Sequence, residues 1–180
     1  MEQIDSYLYQ ALSTTCLITE LANNDYLSSD HFNKIKFTNK QYKEIIKQSG
    51  LGNPATLQMF LYALLVVPYS YKENKHFDIN FSELNPFINN ITIDSYSNYE
   101  KDKDGIDYIR HLRNAVSHSK CNYYVDCNNI CMVEFYDSDN THKCYFKMKT
   151  SDVGLLLEKI QKIIIKYLDN KLTNNLDGKI

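Results

Sequence analysis

The residues best suited to chemistry lie in one short stretch, 104–120, with the sequence DGIDYIRHLRNAVSHSK. On a helical wheel of about 100° per residue, this stretch separates into an apolar side and a polar side. Arginine binds phosphate through a planar fork of donors, and histidine changes its protonation near neutral pH. The stretch therefore indicates phosphate binding combined with proton transfer. The polar side consists of Asp107, Arg110, His111, Arg113, Asn114, Ser117 and His118.

The stretch ends in an arginine that is followed five positions later by a histidine, Arg113 and His118. Cleaving RNA without a metal requires a base for the 2′-hydroxyl, an acid for the leaving oxygen and a cation for the phosphorane. On one helix the two side chains lie about 7.5 Å apart along the axis and about 140° apart around it. They converge poorly unless the last turn loosens or a second copy of the chain contributes, as in a twofold dimer.

The segment RNAVSH, residues 113–118, resembles the Arg-x4-His signature of the HEPN superfamily (higher eukaryotes and prokaryotes nucleotide-binding). The resemblance is sharp over residues 106–119 and only architectural elsewhere. It implies that Arg113 stabilises the scissile phosphate, that His118 transfers a proton or orients the phosphate, and that Asn114 holds the motif's geometry. It also implies a metal-independent endoribonuclease without a cofactor, whose composite site lies at the interface of a homodimer.

Prokaryotic proteins of this superfamily commonly act as toxins or as effectors against phage. The resemblance therefore implies RNA as the substrate, a toxin–antitoxin or antiphage-defence role, and an antitoxin protein as a possible partner. The alternative is a non-catalytic HEPN-like module that binds a nucleotide or a protein partner. The helix dipole favours a histidine at a helix C-terminus whatever its role, so His118 alone does not separate the two hypotheses.

Other polar residues of the stretch are predicted to contact RNA. Arg110, His111, Ser117 and Lys120 flank the motif or lie within it and are assigned this role. Asp107 lies one turn before His111, where its carboxylate can orient the imidazole. A surface ion pair between Asp107 and Arg110 is the interpretation we favour, because residues three apart on a helix are neighbours.

Composition limits the classes of protein to consider. A chain of 180 residues fits one domain with a substantial core. Its hydrophobic content of 43% and charged content of 23% are ordinary for a globular protein. The net charge of −2 excludes a broadly basic protein that coats nucleic acid, but it allows a local basic groove.

The N-terminal segment MEQIDSYLYQ lacks the basic start and apolar run of a signal peptide. The longest apolar run, 63–67, is far too short to span a bilayer. We therefore expect a cytoplasmic protein with no membrane partner, in which the five cysteines are reduced.

Four residues could be assembled into a zinc site, namely Cys127, Cys131, His142 and Cys144. Their spacing matches no standard zinc knuckle. Cys131 and Cys144 also fall in phase with apolar neighbours, which favours buried thiols. We predict no metal, and a zinc-stabilised binding domain is the third and least favoured interpretation.

Apolar residues at helical spacing predict most of the chain to be helical. Pro68 should end the third of these helices, and the polar segment 69–80 should be irregular. Residues 94–99 are predicted to form a polar connection that leads to the helix at 104–120. One short helix should follow a capping box at 38–41 and end near residue 48. The other predicted helices cover about 4–21, 54–67, 81–90, 104–120 and 151–171.

After residue 120 the apolar residues alternate, which predicts strands over 131–136 and 143–149, joined by an Asp/Ser/Asn turn. Residues 122–126 can add a third strand. The predicted fold is mainly α, a HEPN-like helical bundle with a small antiparallel β-hairpin inserted before the C-terminal helix. It forms a single domain over 1–180, with core helices at about 4–118, the hairpin at about 122–149 and the last helix at about 151–171.

One face of the predicted hairpin carries Lys143, Tyr145, Lys147 and Lys149. Three lysines around an aromatic ring resemble a small stripe for binding a nucleic-acid backbone, with a residue on which a base can stack. A solvated outer strand face explains the same residues, and this second interpretation is modestly favoured. Exposed lysine also discourages edge-to-edge pairing of sheets.

Overall fold

The computed structural model describes residues 3–71 and 79–177. Helices dominate it, and a small antiparallel sheet precedes the last helix, which confirms the predicted mainly α fold class. Short 3-10 turns at Tyr26–Ser28 and Glu100–Asp102 complete the helical part. The helices are α1 Gln3–Asn23, α2 Asp30–Lys34, α3 Lys40–Ser49, α4 Pro54–Leu61, α5 Val67–Ser70, α6 Leu84–Ile91, α7 Tyr108–Ser117 and α8 Thr150–Asp177.

Helix α4 begins where the sequence predicts, because Pro54 occupies its first turn and the Asn53 side chain accepts the backbone N–H of Thr56 at 3.1 Å. The prediction that Pro68 ends this helix is wrong. A π-helical segment, Tyr62–Val66, joins α4 to α5, and the Val67 N–H bonds to the carbonyl of Tyr62, five residues back.

The wider π turn accommodates Pro68 in the next turn, although proline lacks the N–H that a continuous α-helix requires. Residues 69 and 70 are consequently helical rather than irregular. Residues 71, 79 and 80 form neither helix nor strand, as predicted, and the remainder of the segment, 72–78, lies outside the described residues.

The sheet contains four antiparallel strands in the order β1-β4-β3-β2. The predicted hairpin is β3 with β4, and the possible third strand is β2, so both predictions are confirmed. β1 was predicted to be a connection, and that prediction is wrong. Its residues pair with β4, with Tyr96 opposite Tyr145. The strands are β1 Asp94–Ser97, β2 Cys121–Val125, β3 Cys131–Ser138 and β4 Lys143–Lys149.

The core lies between the inner face of the sheet and the helices α7 and α8, and it continues into buried residues of α1, α4, α6 and the π-helical segment. Phe135 of β3 stacks on Phe146 of β4 with ring centroids 5.2 Å apart, and Tyr108 of α7 meets Phe146 edge-on at 5.3 Å. Leu112 and Ala115 of α7 are completely buried in the same cluster. Burying a large apolar side chain stabilises a fold by about 1.5–3 kcal/mol, so this packing holds α7 firmly against the sheet.

Within residues 3–71 and 79–177, no single helix has both the length and the apolarity needed to cross a membrane. One pair of segments, Lys40–Ser49 and Pro54–Ser70, meets that requirement jointly, with an 84° bend between them.

Candidate active site

Helix α7 carries the arginine–histidine motif, and its start is fixed by polar contacts. Asp107 is the N-cap residue, and its carboxylate accepts the backbone N–H of Arg110 at 3.3 Å. Asn85 of α6 donates to the same carboxylate at 3.2 Å and accepts the N–H of Ile109 at 2.9 Å. Asp107 therefore satisfies a free N–H of the first turn. The predicted roles of Asp107, orienting His111 or pairing with the Arg110 side chain, are both wrong.

His111 is completely buried between two carboxylates. Its Nε2 lies 2.7 Å from Oδ2 of Asp102, and its Nδ1 lies 2.7 Å from Oδ2 of Asp137. The Arg110 guanidinium also approaches this ring, with its Nη2 2.9 Å from Nε2, so His111 lies within a network of two carboxylates and one guanidinium. The predicted direct contact between His111 and RNA is wrong, because none of its side chain reaches the surface.

Asp102 is the acidic centre of this buried network. Burial by itself would raise the pKa of its carboxyl group, but hydrogen bonds from the Ser97 hydroxyl, from His111 and from the Asp107 N–H together hold the pKa below its ordinary value. Arg110 adds a further bond, from Nη2 to Oδ1 of Asp102 at 3.0 Å. The carboxylate is therefore ionised, and it contacts both the Arg110 guanidinium and the His111 ring.

A cleft of about 660 Å³ opens beside this network at the C-terminal end of α7. His118 is the C-cap residue of α7, and its exposed imidazole has no hydrogen-bond partner in the part of the chain that the structure describes. Four of the residues that the sequence singled out therefore share one cleft. The lining residues are Tyr99, Arg110, Asn114, His118, Lys120, Asp137, Ser138 and Asp139.

Asn114 connects the cleft to the buried network. Its amide nitrogen donates to Oδ2 of Asp137 at 3.1 Å, the same oxygen that accepts from His111. Lys120 also lines the cleft, and its ammonium donates to the Ser138 hydroxyl at 3.1 Å. The cleft thus contains an exposed imidazole, an amide fixed by a buried carboxylate, and cationic groups that can meet a phosphate.

Arg113 does not line this cleft. Its guanidinium carbon lies 4.1 Å from the centroid of the Tyr69 ring, beside α5. Ser117, predicted to contact RNA, is exposed, and its hydroxyl donates to the Arg113 carbonyl at 2.7 Å. It borders a separate groove formed with α4. Within one chain, the structure therefore leaves Arg113 and His118 apart, as the angular separation along one helix leads us to expect.

Tyr99 is a residue of the cleft that the sequence did not single out. Its ring lies 4.9 Å from the His111 ring, 5.0 Å from the Arg110 guanidinium carbon, and stacks on His142 at 5.1 Å. Burial, followed by the nearby carboxylate of Asp137, raises the pKa of its hydroxyl group. Tyr99 thus separates the buried histidine from the open cleft.

Asp139 shapes the turn between β3 and β4 at the rim of the cleft. Backbone N–H groups of Thr141 and His142 donate to its carboxylate at 2.8 Å and 2.7 Å. These bonds lower the pKa of the Asp139 carboxyl group to about 2. The carboxylate remains ionised at any physiological pH and holds the turn in one conformation.

The four zinc-ligand candidates are not brought together within residues 3–71 and 79–177. The group of possible metal ligands found there is a different one, namely Asp102, His111 and Cys144. Burial raises the pKa of the Cys144 thiol to about 12, which opposes the thiolate form that metals require. Cys144 is buried as predicted, whereas Cys131 is exposed at the start of β3, which corrects the expectation of a buried thiol there.

Comparison with known proteins relates most of the chain to one family. The family model described as HEPN pEK499 p136 matches residues 5–171. No curated protein and no solved structure matches the chain. The matched range contains the arginine–histidine motif of α7, the sheet and most of α8. The chain therefore belongs to the HEPN family described as HEPN pEK499 p136.

Proposed function

We propose that this protein is a metal-independent endoribonuclease that acts as a homodimer with a composite active site. The observation that carries the proposal is the cleft at the end of α7, where an exposed His118 faces open space beside Arg110, Asn114 and Lys120. An imidazole without a competing partner is available to transfer a proton at the 2′-hydroxyl or at the leaving oxygen. Cations nearby stabilise the charge that develops on the phosphate.

Arg113 is proposed to enter this chemistry from the second protomer. Its guanidinium face stacks on Tyr69, while phosphate binding uses the N–H groups at the edge of the guanidinium plane. A twofold axis near the ends of the two α7 helices would bring Arg113 of one chain to His118 of the other. If both residues act on one phosphate, their separation within one chain requires a second chain to contribute. Asn114, held by Asp137, is proposed to keep the end of α7 in place.

The primary test is RNA cleavage in the presence of EDTA. Wild-type protein is compared with His118→Ala and with His31→Ala, which removes an exposed histidine of α2 as a matched control. We expect cleavage by the wild type and by the control, but not by His118→Ala, provided that all three are folded and share one oligomeric state. Equal cleavage by all three proteins would show that the activity comes from elsewhere.

The composite site is tested by mixing two inactive variants. Arg113→Ala and His118→Ala are combined under conditions that exchange subunits. In a twofold dimer, half of the molecules are then mixed, and each carries one intact Arg–His pair, so about a quarter of wild-type activity should return. If both residues act within one chain, mixing restores nothing.

We also infer a biological role from family membership. The protein is proposed to act in the cytoplasm as a toxin or antiphage effector, with an antitoxin protein as a partner. Induced expression of the wild type should arrest growth, whereas the His118→Ala variant, expressed at the same level, should not. Growth arrest by both proteins would favour the alternative function, a non-catalytic module that binds a nucleotide or a protein. The position of Arg113 outside the cleft of its own chain is the observation that favours this alternative.

A further inference from the structure

The outer face of the sheet, which points away from α7 and α8, carries a row of three tyrosines. Tyr96 of β1 pairs with Tyr145 of β4, and Tyr145 pairs with Tyr136 of β3. The three side chains lie on adjacent strands at one level of the sheet, about 5 Å from strand to strand. We call this row, with the lysines beside it, the tyrosine face.

Two of the three rings of the tyrosine face are exposed, and the third, Tyr145, is half-buried. Tyr96 is 41% exposed and Tyr136 is 39% exposed. Tyr96 and Tyr145 stack with centroids 5.8 Å apart and planes inclined by 23°. Adjacent exposed aromatic residues are a common feature of surfaces that bind other molecules, since a merely solvated strand face has no need of them.

Lysines accompany each ring. The ammonium of Lys143 lies 5.7 Å from the Tyr96 centroid, that of Lys147 lies 5.3 Å from Tyr145, and that of Lys120 lies 5.9 Å from Tyr136. Each ring therefore has a cation close enough to meet the phosphate of a nucleotide whose base stacks there. Lys149 adds a fourth ammonium at the end of β4.

Two carboxylates on the same face offset part of this charge. Asp94 pairs with Lys147 at 3.1 Å, and Glu134 lies opposite Lys147 in the sheet. The hydrogen bond from Lys147 to Asp94 contributes to a raised pKa of that lysine, so Lys147 is charged but already paired. Lys143 and Lys149 form no ion pair within the described part of the chain. Four lysines against two carboxylates leave the face positive on a chain whose net charge is −2.

Lys120 links the tyrosine face to the cleft. It lies over Tyr136 and also lines the cleft that contains His118. Its backbone carbonyl accepts the Tyr136 N–H at 3.0 Å, and its ammonium donates to Ser138. Lys120 therefore borders both the row of rings and the cleft, so a single ligand that contacts this lysine lies next to both surfaces.

We propose that the tyrosine face binds single-stranded RNA and directs it into the His118 cleft. Unpaired bases stack on exposed aromatic rings while lysines contact the phosphates, and such contacts tolerate different sequences. A duplex hides the faces of its bases and cannot use the rings in this way. The second half of the proposal, delivery to the cleft, rests on the proposed ribonuclease function; binding to the face does not require cleavage.

The test measures binding of a labelled, unstructured RNA of about 12 nucleotides, a length that comparable aromatic grooves cover. All proteins carry His118→Ala, so that the RNA is not cut. We expect Tyr96→Leu with Tyr145→Leu to weaken binding about 10-fold or more, because two rings are lost while apolar bulk remains. Tyr96→Phe with Tyr145→Phe keeps both rings and should bind within about twofold of the parent. Tyr42→Leu, in α3, is the control, since Tyr42 is 57% exposed.

The phosphate contacts are tested by the salt dependence of the same binding. Lys143→Gln with Lys149→Gln should lower the slope of log affinity against log salt concentration by about 1 to 1.5, as expected for two lost contacts to a single strand. Lys47→Gln with Lys162→Gln is the matched control, because both residues are exposed on helices away from the sheet. An unchanged slope in the sheet variant would contradict phosphate binding by this face.

Two further results would overturn the proposal. One is equal affinity for the single strand and for a duplex of the same sequence. The other is a tyrosine-to-leucine variant that binds RNA like the parent but sediments as a smaller species, which would identify the face as an interface between protein chains. If the wild type cuts no RNA while the leucine variant still loses RNA binding, the ribonuclease function fails and the binding surface stands.

Discussion

His111 and His118 lie on one helix, seven residues apart, in opposite environments. His111 is completely buried, and each of its ring nitrogens lies 2.7 Å from a carboxylate oxygen. His118 is exposed at the C-cap, facing a cleft. Partners hold the first ring at both nitrogens, whereas the second ring has no hydrogen-bond partner within the described residues and faces open space. The comparison shows that residue type and position on the helix do not distinguish a structural histidine from a candidate catalytic one. The hydrogen-bond partners of each ring make that distinction.

The largest expected effect is a loss of RNA cleavage on mutation of His118, with little change in stability. His118→Ala should lower the rate of RNA cleavage by about 10² to 10⁴, because a positioned acid or base contributes about that factor. The free energy of unfolding should change by less than about 1 kcal/mol, the usual size of a helix-terminus charge effect. Cleavage assays and urea titrations on the same preparation measure both. A large loss of stability would show that His118, like His111, stabilises the fold.

The converse effect is expected at His111. His111→Ala leaves Asp102 and Asp137 buried without the ring that bonds to both, and should lower the free energy of unfolding by about 3–5 kcal/mol. Urea unfolding followed by circular dichroism provides the measurement. His31→Ala, at an exposed histidine, should leave the midpoint nearly unchanged. A His111→Ala protein as stable as the wild type would contradict the buried ion network.

Changing Asn114 should affect both stability and cleavage, each by less than the histidine variants do, since Asn114 contacts the buried network and also lines the cleft. Asn114→Ala removes a hydrogen bond to the Asp137 carboxylate and should lower the free energy of unfolding by about 1–2 kcal/mol. Cleavage should fall as well, because the end of α7 is less firmly held. Asn122→Ala, at an exposed asparagine of β2, is the control for both measurements. Loss of stability without loss of cleavage would restrict Asn114 to the buried network.

The smallest expected effect concerns acid stability at the rim of the cleft. The pKa of the Asp139 carboxyl group falls from 3.8 to about 2 on folding, so its contribution is complete above pH 3.8 and is lost as the pH falls towards 2. Asp139→Asn should therefore weaken the pH dependence of stability between pH 3.8 and 2. The pH dependence of stability near pH 7 should not change. Thermal unfolding across the window measures the change. An identical pH profile would show that the turn does not depend on the charge.

Local patterns in the sequence predicted the parts of the fold that local forces determine. Helical spacing of apolar residues located α1, α4, α7 and α8, and alternation located the hairpin, because each pattern describes one buried face. β1 was missed because its sequence, DSYS, has no apolar alternation of its own. It becomes a strand only by pairing with β4, about fifty residues later.

The sequence predicted only those residues of the candidate site that lie within the motif or next to it. His118, Asn114, Arg110 and Lys120 lie in the cleft that contains the motif's end, but Asp102, Asp137 and Tyr99 approach from other elements. A helical wheel places His111 on the polar side and does not reveal that two distant carboxylates cover it. Burial by distant partners is the information that a single sequence lacks.

The π-helical turn at 62–66 has a consequence for how this region tolerates changes in chain length. A π turn contains one residue more than the α-helical register requires, and that residue shifts the phase of everything after it by about 100°. Tyr69, which supports Arg113, follows that turn. Deleting one residue there would restore an uninterrupted register, force Pro68 into a helix interior, and rotate the aromatic ring away from the arginine. The number of residues in this segment should therefore tolerate change less than the identity of its apolar side chains does.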